Sequence, residues 1–179
     1  MNSIKKLTVK NSIGVMVWGC FCNDKLGPLV LVEGTLNSDK YIELLKEHLL
    51  PFLNDLNGEE KEELMIPWYI FQEENYIFQD DNAPCHASIK TKSWKENNSI
   101  EILSWPAQSP DLNPIENLWN ELEIRIRKCR PMPKNKNDFF AALKEEWYKI
   151  DKSQLIRLVK SMPNRINAVI ENKGNPTKY

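Results

Sequence analysis

Two polar, proline-marked segments interrupt this chain at residues 78–86 and 105–119, and each joins an apolar stretch to a segment with helical periodicity. The first carries Asp81 just after the apolar run 76–78, and the second carries Glu116. Mg²⁺ and Mn²⁺ prefer oxygen ligands, and carboxylates bind them while leaving positions for water and phosphate. An acid at the end of a strand and an acid on the opening turn of a helix therefore predict a shared divalent-cation site, with 34 residues (82–115) between the two ligands.

The order of the predicted elements, β-β-α-β-α-β-α-α-α, indicates an α/β fold in which helices flank a mixed sheet. An apolar stretch at 12–22 and a second strand at 29–34, joined by turn residues, predict an antiparallel pair. Short strands at 76–78 and 100–103 alternate with helices, which is typical of parallel pairing. Asp81 then lies at the carboxyl end of a crossover strand, the usual edge for ligand sites in such sheets. The remaining signals predict helices that start at Ser38 or Asp39, span 87–97, start after an Asn113 cap, and span 137–149 and 153–171.

Each acid also has an ordinary structural interpretation. Glu116 stands three positions after the predicted cap Asn113, with Pro114 first in the helix, and such an arrangement stabilises a helix start by roughly 0.5–2 kcal/mol. The same helix predicts a buried apolar stripe: Ile115, Leu118, Trp119, Leu122 and Ile126. The run 80–84 around Asp81 is typical of a turn. His86 is interpreted as a surface or capping residue, and Trp105 and Trp119 as core residues.

Composition predicts one intracellular domain with a hydrophobic core. The chain has 179 residues, of which 41% are hydrophobic, and no apolar run approaches the ~20 residues of a membrane span. Its first residues lack the apolar stretch of a secretory signal. Four cysteines without paired CxxC spacing, and only two histidines, favour free thiols over disulfides or a zinc site. No small-molecule cofactor is expected.

The near-neutral net charge conceals a strong asymmetry. Residues 1–121 hold 10 basic and 19 acidic side chains, a net of −9, whereas residues 122–179 hold 14 and 6, a net of +8. A basic C-terminal third could bind the phosphate backbone of a nucleic acid, although helix surface that only contacts solvent would give the same composition. The candidate DNA-contacting residues are His86, Arg125, Arg127, Lys128 and Arg130.

Four blocks of sequence, in order, carry a resemblance to one family. They are residues 15–21 (VMVWGCF), the two acid-bearing segments, and the ending that runs from 161–166 (SMPNRI) to 174–179 (GNPTKY). Together they closely resemble the catalytic domain of Tc/mariner-type DDE transposases. The resemblance covers one domain at 12–179 and leaves 1–11 as a short leader outside the family pattern.

The resemblance implies a ribonuclease-H-like fold that cuts and joins DNA in transposition and integration, with two Mg²⁺ (or Mn²⁺) ions on an Asp-Asp-Glu triad. On that pattern Asp81 is the second acid and Glu116 the third. Asp80 stands where relatives often carry Gln, so Asp81 is the expected ligand. A homodimer and a nuclear location are expected from the same resemblance.

The chain departs from the family pattern in two respects. The family's first Asp precedes the block at 15–21, yet no Asp or Glu comes before Asp24 in this sequence. We therefore expect a domain without its first, central strand, without the family's N-terminal helix-turn-helix domains, with at most weak metal binding and with little cleavage by this chain alone. The segment around 58–75 is also longer than the family's usual link.

Two alternatives follow from the incomplete triad. One is a non-catalytic DNA- or protein-binding module derived from a transposase, which would use the basic C-terminal helices. The other is a nuclease in which Asp80 or Asp111 replaces the first acid.

Overall fold

The computed structural model describes residues 2–8, 13–58, 76–106 and 109–179. The segment at 58–75 therefore lies outside the described residues except for Gly58, the last residue of a helix. A π-helical stretch, Leu45–Leu49, joins the first two α-helices, and a 3-10 turn, Pro110–Leu112, precedes the fifth. The strands and α-helices are β1 (Asn2–Thr8), β2 (Gly14–Cys22), β3 (Lys25–Val32), α1 (Ser38–Leu44), α2 (Leu50–Gly58), α3 (Pro84–Ala87), α4 (Ile89–Asn97), α5 (Ile115–Lys128), α6 (Lys136–Tyr148), α7 (Lys152–Lys160) and α8 (Met162–Glu171).

The chain divides into two compact units. One comprises Met1–Thr35 with Pro106–Tyr179, and is called the sheet unit below. The other comprises Leu36–Trp105, and is called the helical unit. Asp81 belongs to the helical unit and Glu116 to the sheet unit.

The sheet unit contains a three-stranded antiparallel sheet in the order β1-β2-β3. The predicted hairpin is confirmed, with β2 within the predicted 12–22 and β3 starting earlier than predicted. Strand β1 is not predicted from the sequence: it lies in the stretch assigned to a leader, and it pairs with β2 from Thr8 opposite Gly14 to Asn2 opposite Cys20. The expected loss of a strand would have left one edge of β2 without a partner. In the structure β1 covers that edge. A domain boundary at residue 12 stays a prediction.

Four helices complete the sheet unit, and α5 supplies the centre of its core. The predicted stripe is confirmed, because Ile115, Leu118, Trp119, Leu122 and Ile126 are all buried. These side chains pack with apolar residues of the strands and of α6, including Val17, Phe21, Phe139, Leu143 and Trp147. The Trp119 and Trp147 rings stack with their centroids 5.3 Å apart.

The single helix predicted at 153–171 is wrong in one respect, because α7 ends at Lys160 and α8 starts at Met162. Proline lacks a backbone N–H, and its ring clashes with the carbonyl four residues earlier. Pro163 is tolerated in the first turn of a new helix, so one helix ends and the next begins just before it.

In the helical unit, α1 and α4 are capped by the side chains of Asn37 and Ser88. The predicted cap at Ser38 or Asp39 is wrong by one or two residues, since Asn37 Oδ1 accepts from the Lys40 N–H at 2.9 Å. The strands predicted at 76–78 and 100–103 reduce to one parallel bridge between Phe78 and Ile102.

All four cysteines are free thiols, as predicted. Over the described stretches, the helices are too short or too polar to cross a membrane.

Gly19 on β2 leaves room for the Trp119 ring of α5. A Cβ at this position would lie 2.8 Å from Trp119 Cη2 and 3.3 Å from Leu29 Cδ1, inside van der Waals contact. We predict that Gly19→Ala lowers the free energy of unfolding by about 1–3 kcal/mol, as overpacked cores do. Urea denaturation measures the loss. In a Trp119→Phe background, where the ring is smaller, the loss should shrink. An equal loss in both backgrounds would show that this contact is not the cause.

Candidate functional site

In the helical unit, Asp80 and Asp81 follow directly after the Phe78 bridge. Phe78 donates its N–H to the Glu101 carbonyl at 2.7 Å and accepts from the Leu103 N–H at 2.8 Å. The chain then turns, since Ala83 donates its N–H to Asp81 Oδ1 at 3.1 Å. Helix α3 starts immediately afterwards at Pro84. The predicted position of Asp81, at the end of an extended segment and before a helix, is confirmed.

One turn of α3 brings His86 back onto Asp81. His86 Nδ1 lies 2.5 Å from Asp81 Oδ1, and it also lies 3.0 Å from the Asp81 carbonyl oxygen. The His86 side chain is 1% exposed, whereas that of Asp81 is 35% exposed. The interpretation of His86 as a surface or capping residue is therefore wrong, because its ring is buried against Asp81. Its DNA-contacting role stays a prediction, and the burial argues against it.

The two groups shift each other's titration. Burial lowers the pKa of His86, but the hydrogen bond that His86 donates to the Asp81 carboxylate and the charges of Asp81 and Asp80 outweigh burial and raise it to about 9. Burial raises the pKa of Asp81, but the hydrogen bond and charge of His86 and the Ala83 N–H hold it below its usual value. At neutral pH this pair is therefore an imidazolium beside a carboxylate.

The Asp80 side chain is bound within the helical unit. Its Oδ2 pairs with the Lys95 ammonium, accepts from the Tyr41 hydroxyl at 3.1 Å, and lies 4.0 Å from His86 Nδ1. Its carbonyl accepts from Trp105 Nε1 at 2.8 Å. Asp80 and Lys95 are both buried, so this carboxylate is neutralised inside the protein. This contact argues against Asp80 as a substitute metal ligand.

The sequence analysis missed two of the residues around this pair. Tyr41 stacks on His86 with a centroid separation of 4.0 Å, and Lys95 lies over the Tyr41 and Phe78 rings at 5.5 and 5.3 Å. The sequence offered one sign of this site: Lys95 is a charged residue four positions after Thr91, on the same helix face, and that face is buried.

In the sheet unit, Glu116 lies on the first turn of α5, as predicted. Its N–H donates to the Asn113 carbonyl at 3.0 Å. The predicted side-chain cap is wrong, since no side-chain hydrogen bond caps α5 among the described residues, and Pro114 occupies the cap position. Asn113 is buried, and its Oδ1 has no hydrogen-bond partner there.

Strand β1 provides a positive charge for Glu116. Lys5 Nζ lies 2.6 Å from Glu116 Oε2, and the side chains of Lys5 and Glu116 are 33% and 22% exposed. Nothing in the sequence pattern indicated Lys5, which is 111 positions away from its partner.

The donors are of the right chemical type for Mg²⁺ or Mn²⁺, but their surroundings do not fit a resident ion. A protein cation lies at ion-pair distance from each acid, His86 at Asp81 and Lys5 at Glu116. Within the part of the chain that the structure describes, no cluster of three or more His, Cys, Asp or Glu side chains could hold a metal ion. The binding of one cation by Asp81 and Glu116 together stays a prediction.

The basic candidates for DNA contact lie near the C-terminal end of α5. Arg125 is half-buried, pairs with Glu121, and lies 3.7 Å from Glu146, so its charge is compensated. Arg127, which pairs with Glu123 at 3.3 Å, is exposed, as are Lys128 and Arg130. Their contact with DNA stays a prediction.

Asp111, the other proposed substitute ligand, is engaged by the C-terminal residues. Its Oδ2 accepts from the Thr177 N–H at 3.2 Å and from the Thr177 hydroxyl at 3.0 Å.

A model of one protein family, described as DDE superfamily endonuclease, matches residues 5–139. The transposase of transposable element Tcb1 from Caenorhabditis briggsae is 39% identical over 173 residues, 96% of this chain and 57% of that protein. The transposase of Tc1 from Caenorhabditis elegans is 37% identical over the same shares. The chain thus spans 57% of the length of these two relatives.

Solved structures of another transposase share the fold. The Mos1 transposase catalytic domain, in a structure with raltegravir and Mn, gives a TM-score of 0.79 at 19% identity, covering 99% of this chain and 84% of that one. The Mos1 mariner paired end complex with Mn also gives 0.79, at 16% identity, covering 99% and 56%. The predicted α/β, ribonuclease-H-like fold is thereby confirmed. Because the family model spans both acid-bearing segments and the fold agrees with it, this chain belongs to the DDE superfamily of endonucleases, among the Tc/mariner-type transposases.

Proposed function

We propose that this chain is part of the catalytic domain of a DNA-cutting and DNA-joining transposase, with Asp81 as the second and Glu116 as the third acid of its triad. The observation that carries the proposal is the family match, which runs through both acid-bearing segments. The local structure supports it, because both acids are partly exposed and lie where an extended segment ends and where a helix starts.

The cofactor proposed for the complete enzyme is Mg²⁺ or Mn²⁺, in line with the Mos1 structures that contain Mn or Mg. For this chain by itself we propose weak metal binding. A divalent cation would meet Asp81 and Glu116 with their charges already compensated by His86 and Lys5. Each cation that binds must compete with these two protein cations.

Little or no strand cleavage by this chain alone follows from the same electrostatics. Phosphoryl transfer on two metals requires both ions to be held at fixed positions. Carboxylates whose charge is neutralised by nearby basic side chains attract such ions weakly.

An alternative function is a non-catalytic binding module for DNA or for another protein. The observation that favours it is the exposure of Arg127, Lys128 and Arg130 near the C-terminal end of α5. Under this alternative, DNA binding does not depend on Asp81 or Glu116.

DNA is the partner proposed under the first function, and the Mos1 paired end complex and Strand Transfer Complex support it by analogy. A homodimer and a nuclear location are proposed from the family resemblance.

The purified chain should leave supercoiled plasmid DNA intact in Mg²⁺ or Mn²⁺, at a level equal to that of Asp81→Ala. The reason is the incomplete capture of metal described above. Agarose-gel quantification of nicked circles measures the outcome. Metal-dependent nicking by the chain that disappears in Asp81→Ala would contradict the proposed inactivity and would support the assignment of Asp81 as a catalytic acid.

Lys5→Met should tighten Mn²⁺ binding roughly fivefold, because an ion pair of this kind is worth about 1 kcal/mol and its loss leaves the Glu116 carboxylate uncompensated. Electron paramagnetic resonance of free Mn²⁺ measures the affinity. Lys6→Met is the matched control, since Lys6 is the exposed neighbour on β1.

Adding Glu116→Gln to Lys5→Met should return Mn²⁺ affinity to that of the unmodified chain or below it. If Lys5→Met leaves the affinity unchanged, Lys5 does not compete with metal. If Glu116→Gln has no effect in the Lys5→Met background, Glu116 is not a metal-binding acid.

Reversing the charge of Arg127, Lys128 and Arg130 to Glu should weaken binding to duplex DNA. It should also reduce the salt slope of log K by about 2–3, since each lost phosphate contact accounts for about 0.9. The matched control reverses three other exposed lysines of the same basic third, Lys144, Lys160 and Lys173, and thus changes the net charge equally. If both triple variants weaken DNA binding equally, DNA is attracted by the overall charge of the basic third, and Arg127, Lys128 and Arg130 do not form a specific DNA-binding surface. Fluorescence anisotropy at several salt concentrations measures the DNA affinity and the salt slope.

A further inference from the structure

The C-terminal residues fold back onto the turn that precedes α5, and a buried arginine forms the centre of this contact. Arg165 is 2% exposed although it carries a charge. It donates from Nε to Ser161 Oγ, from Nη1 to the Asp111 carbonyl, and from Nη2 to Asn117 Oδ1, each at 2.7 Å. One guanidinium therefore connects a residue before Glu116 with the residue that follows it.

The last residues of the chain hold the same turn from its other side. Thr177 donates its N–H and its hydroxyl to Asp111 Oδ2 at 3.2 and 3.0 Å. The Tyr179 ring covers Arg165, with its centroid 4.8 Å from Cζ. The backbone carbonyl of Asp111 is thus bound by Arg165 and its carboxylate by Thr177. We call this group, Asp111, Asn117, Arg165, Thr177 and Tyr179, the C-terminal clasp.

The start of α5 needs such support because no side chain of the described residues caps it. The first N–H groups of a helix have no partner within the helix, and uncapped helix ends fray. Here Glu116 and Asn117 donate their N–H groups to the nearby carbonyls of Asn113 and Pro114, at 3.0 and 3.1 Å. The clasp holds the side chain of Asn117 and the backbone of Asp111, and so it fixes this turn from outside the helix.

An arginine suits this position better than a lysine would. The planar guanidinium presents donors in a rigid fork, whereas an ammonium is a single point charge on a flexible stem. Reaching Asp111 and Asn117 at once requires that fork. Burying a charge is costly unless its hydrogen bonds are made, and three of them are made here.

We infer that Arg165 is a positioning residue for Glu116, and that Thr177 and Tyr179 complete the clasp that fixes the turn on which Glu116 lies. The clasp stands on the contacts above, whereas its importance for metal chemistry rests on the function proposed for Glu116. It gives a role to the sequence block at the C-terminus that neither acid-bearing segment explains.

Amide hydrogen exchange of the whole chain, followed by NMR, tests the inference. Arg165→Lys keeps the charge and removes the fork, and it should speed exchange at the Glu116 and Asn117 N–H groups by about tenfold through local opening. Exchange at Leu122 and Ile126 on the same helix should stay within about twofold, since a local opening leaves the rest of the helix protected. Arg157→Lys is the matched control, because Arg157 is an exposed arginine on α7 that donates to Ser153 Oγ at 3.3 Å.

Thr177→Val is the second variant, and it tests the same inference if Arg165→Lys does not fold. It removes the hydroxyl that donates to Asp111 Oδ2 and accepts from the Tyr179 N–H at 3.4 Å, but it keeps the Thr177 N–H that also donates to Asp111, so it should give a smaller increase at the same two amides. Unchanged exchange at Glu116 and Asn117 would overturn the inference, and so would an equal increase along all of α5.

Mn²⁺ affinity in the Lys5→Met background separates the clasp from the proposed function. Arg165→Lys should lower that affinity as well as speed exchange. Faster exchange with unchanged Mn²⁺ affinity would support the clasp and contradict the metal-binding role of Glu116.

Discussion

The packing of α5 into the sheet unit determines where Glu116 lies. Five apolar side chains on one face of α5 are fully buried, and each contributes about 1.5–3 kcal/mol when it is removed from water. Rotating the helix by one residue would turn this stripe by about 100° out of the core. Glu116 follows the first residue of the stripe, Ile115, so hydrophobic packing constrains the direction of its side chain. The Gly19 gap that admits Trp119 is the condition for this packing.

Compensation of charge is the second constraint on the molecule. Asp80, Asp81 and Glu116 each lie beside a basic side chain, Lys95, His86 and Lys5 in that order. Such pairing offsets the cost of removing these carboxylates from water. Breaking one pair would leave a partly desolvated charge without its partner. In this chain each of these acids therefore already lies beside a protein cation.

Sequence analysis could predict what depends on short-range patterns. The stripe of α5, the hairpin of β2 and β3, and the places of Asp81 and Glu116 all follow from periodicity and turn residues within about 15 positions. The partners of the acids could not be predicted that way, because Lys5 and Glu116 are 111 positions apart and Lys95 resembles any helix-surface lysine. The prediction of the helix caps was wrong for a different reason. Asn37 and Ser38 are both good cap residues, and Pro114 instead of Asn113 occupies the cap position of α5.

The polar residues of the second acid-bearing segment have separate tasks that explain its composition. Asp111 binds Thr177 through its carboxylate, Asn117 binds Arg165 through its amide, and Glu116 pairs with Lys5. The first two contacts reach toward the C-terminus of the chain and the third toward its N-terminus. The start of α5 is therefore held by contacts from both ends of the sequence. The geometry of Glu116 therefore reports on the folding of the whole sheet unit, and local helix propensity alone cannot set it.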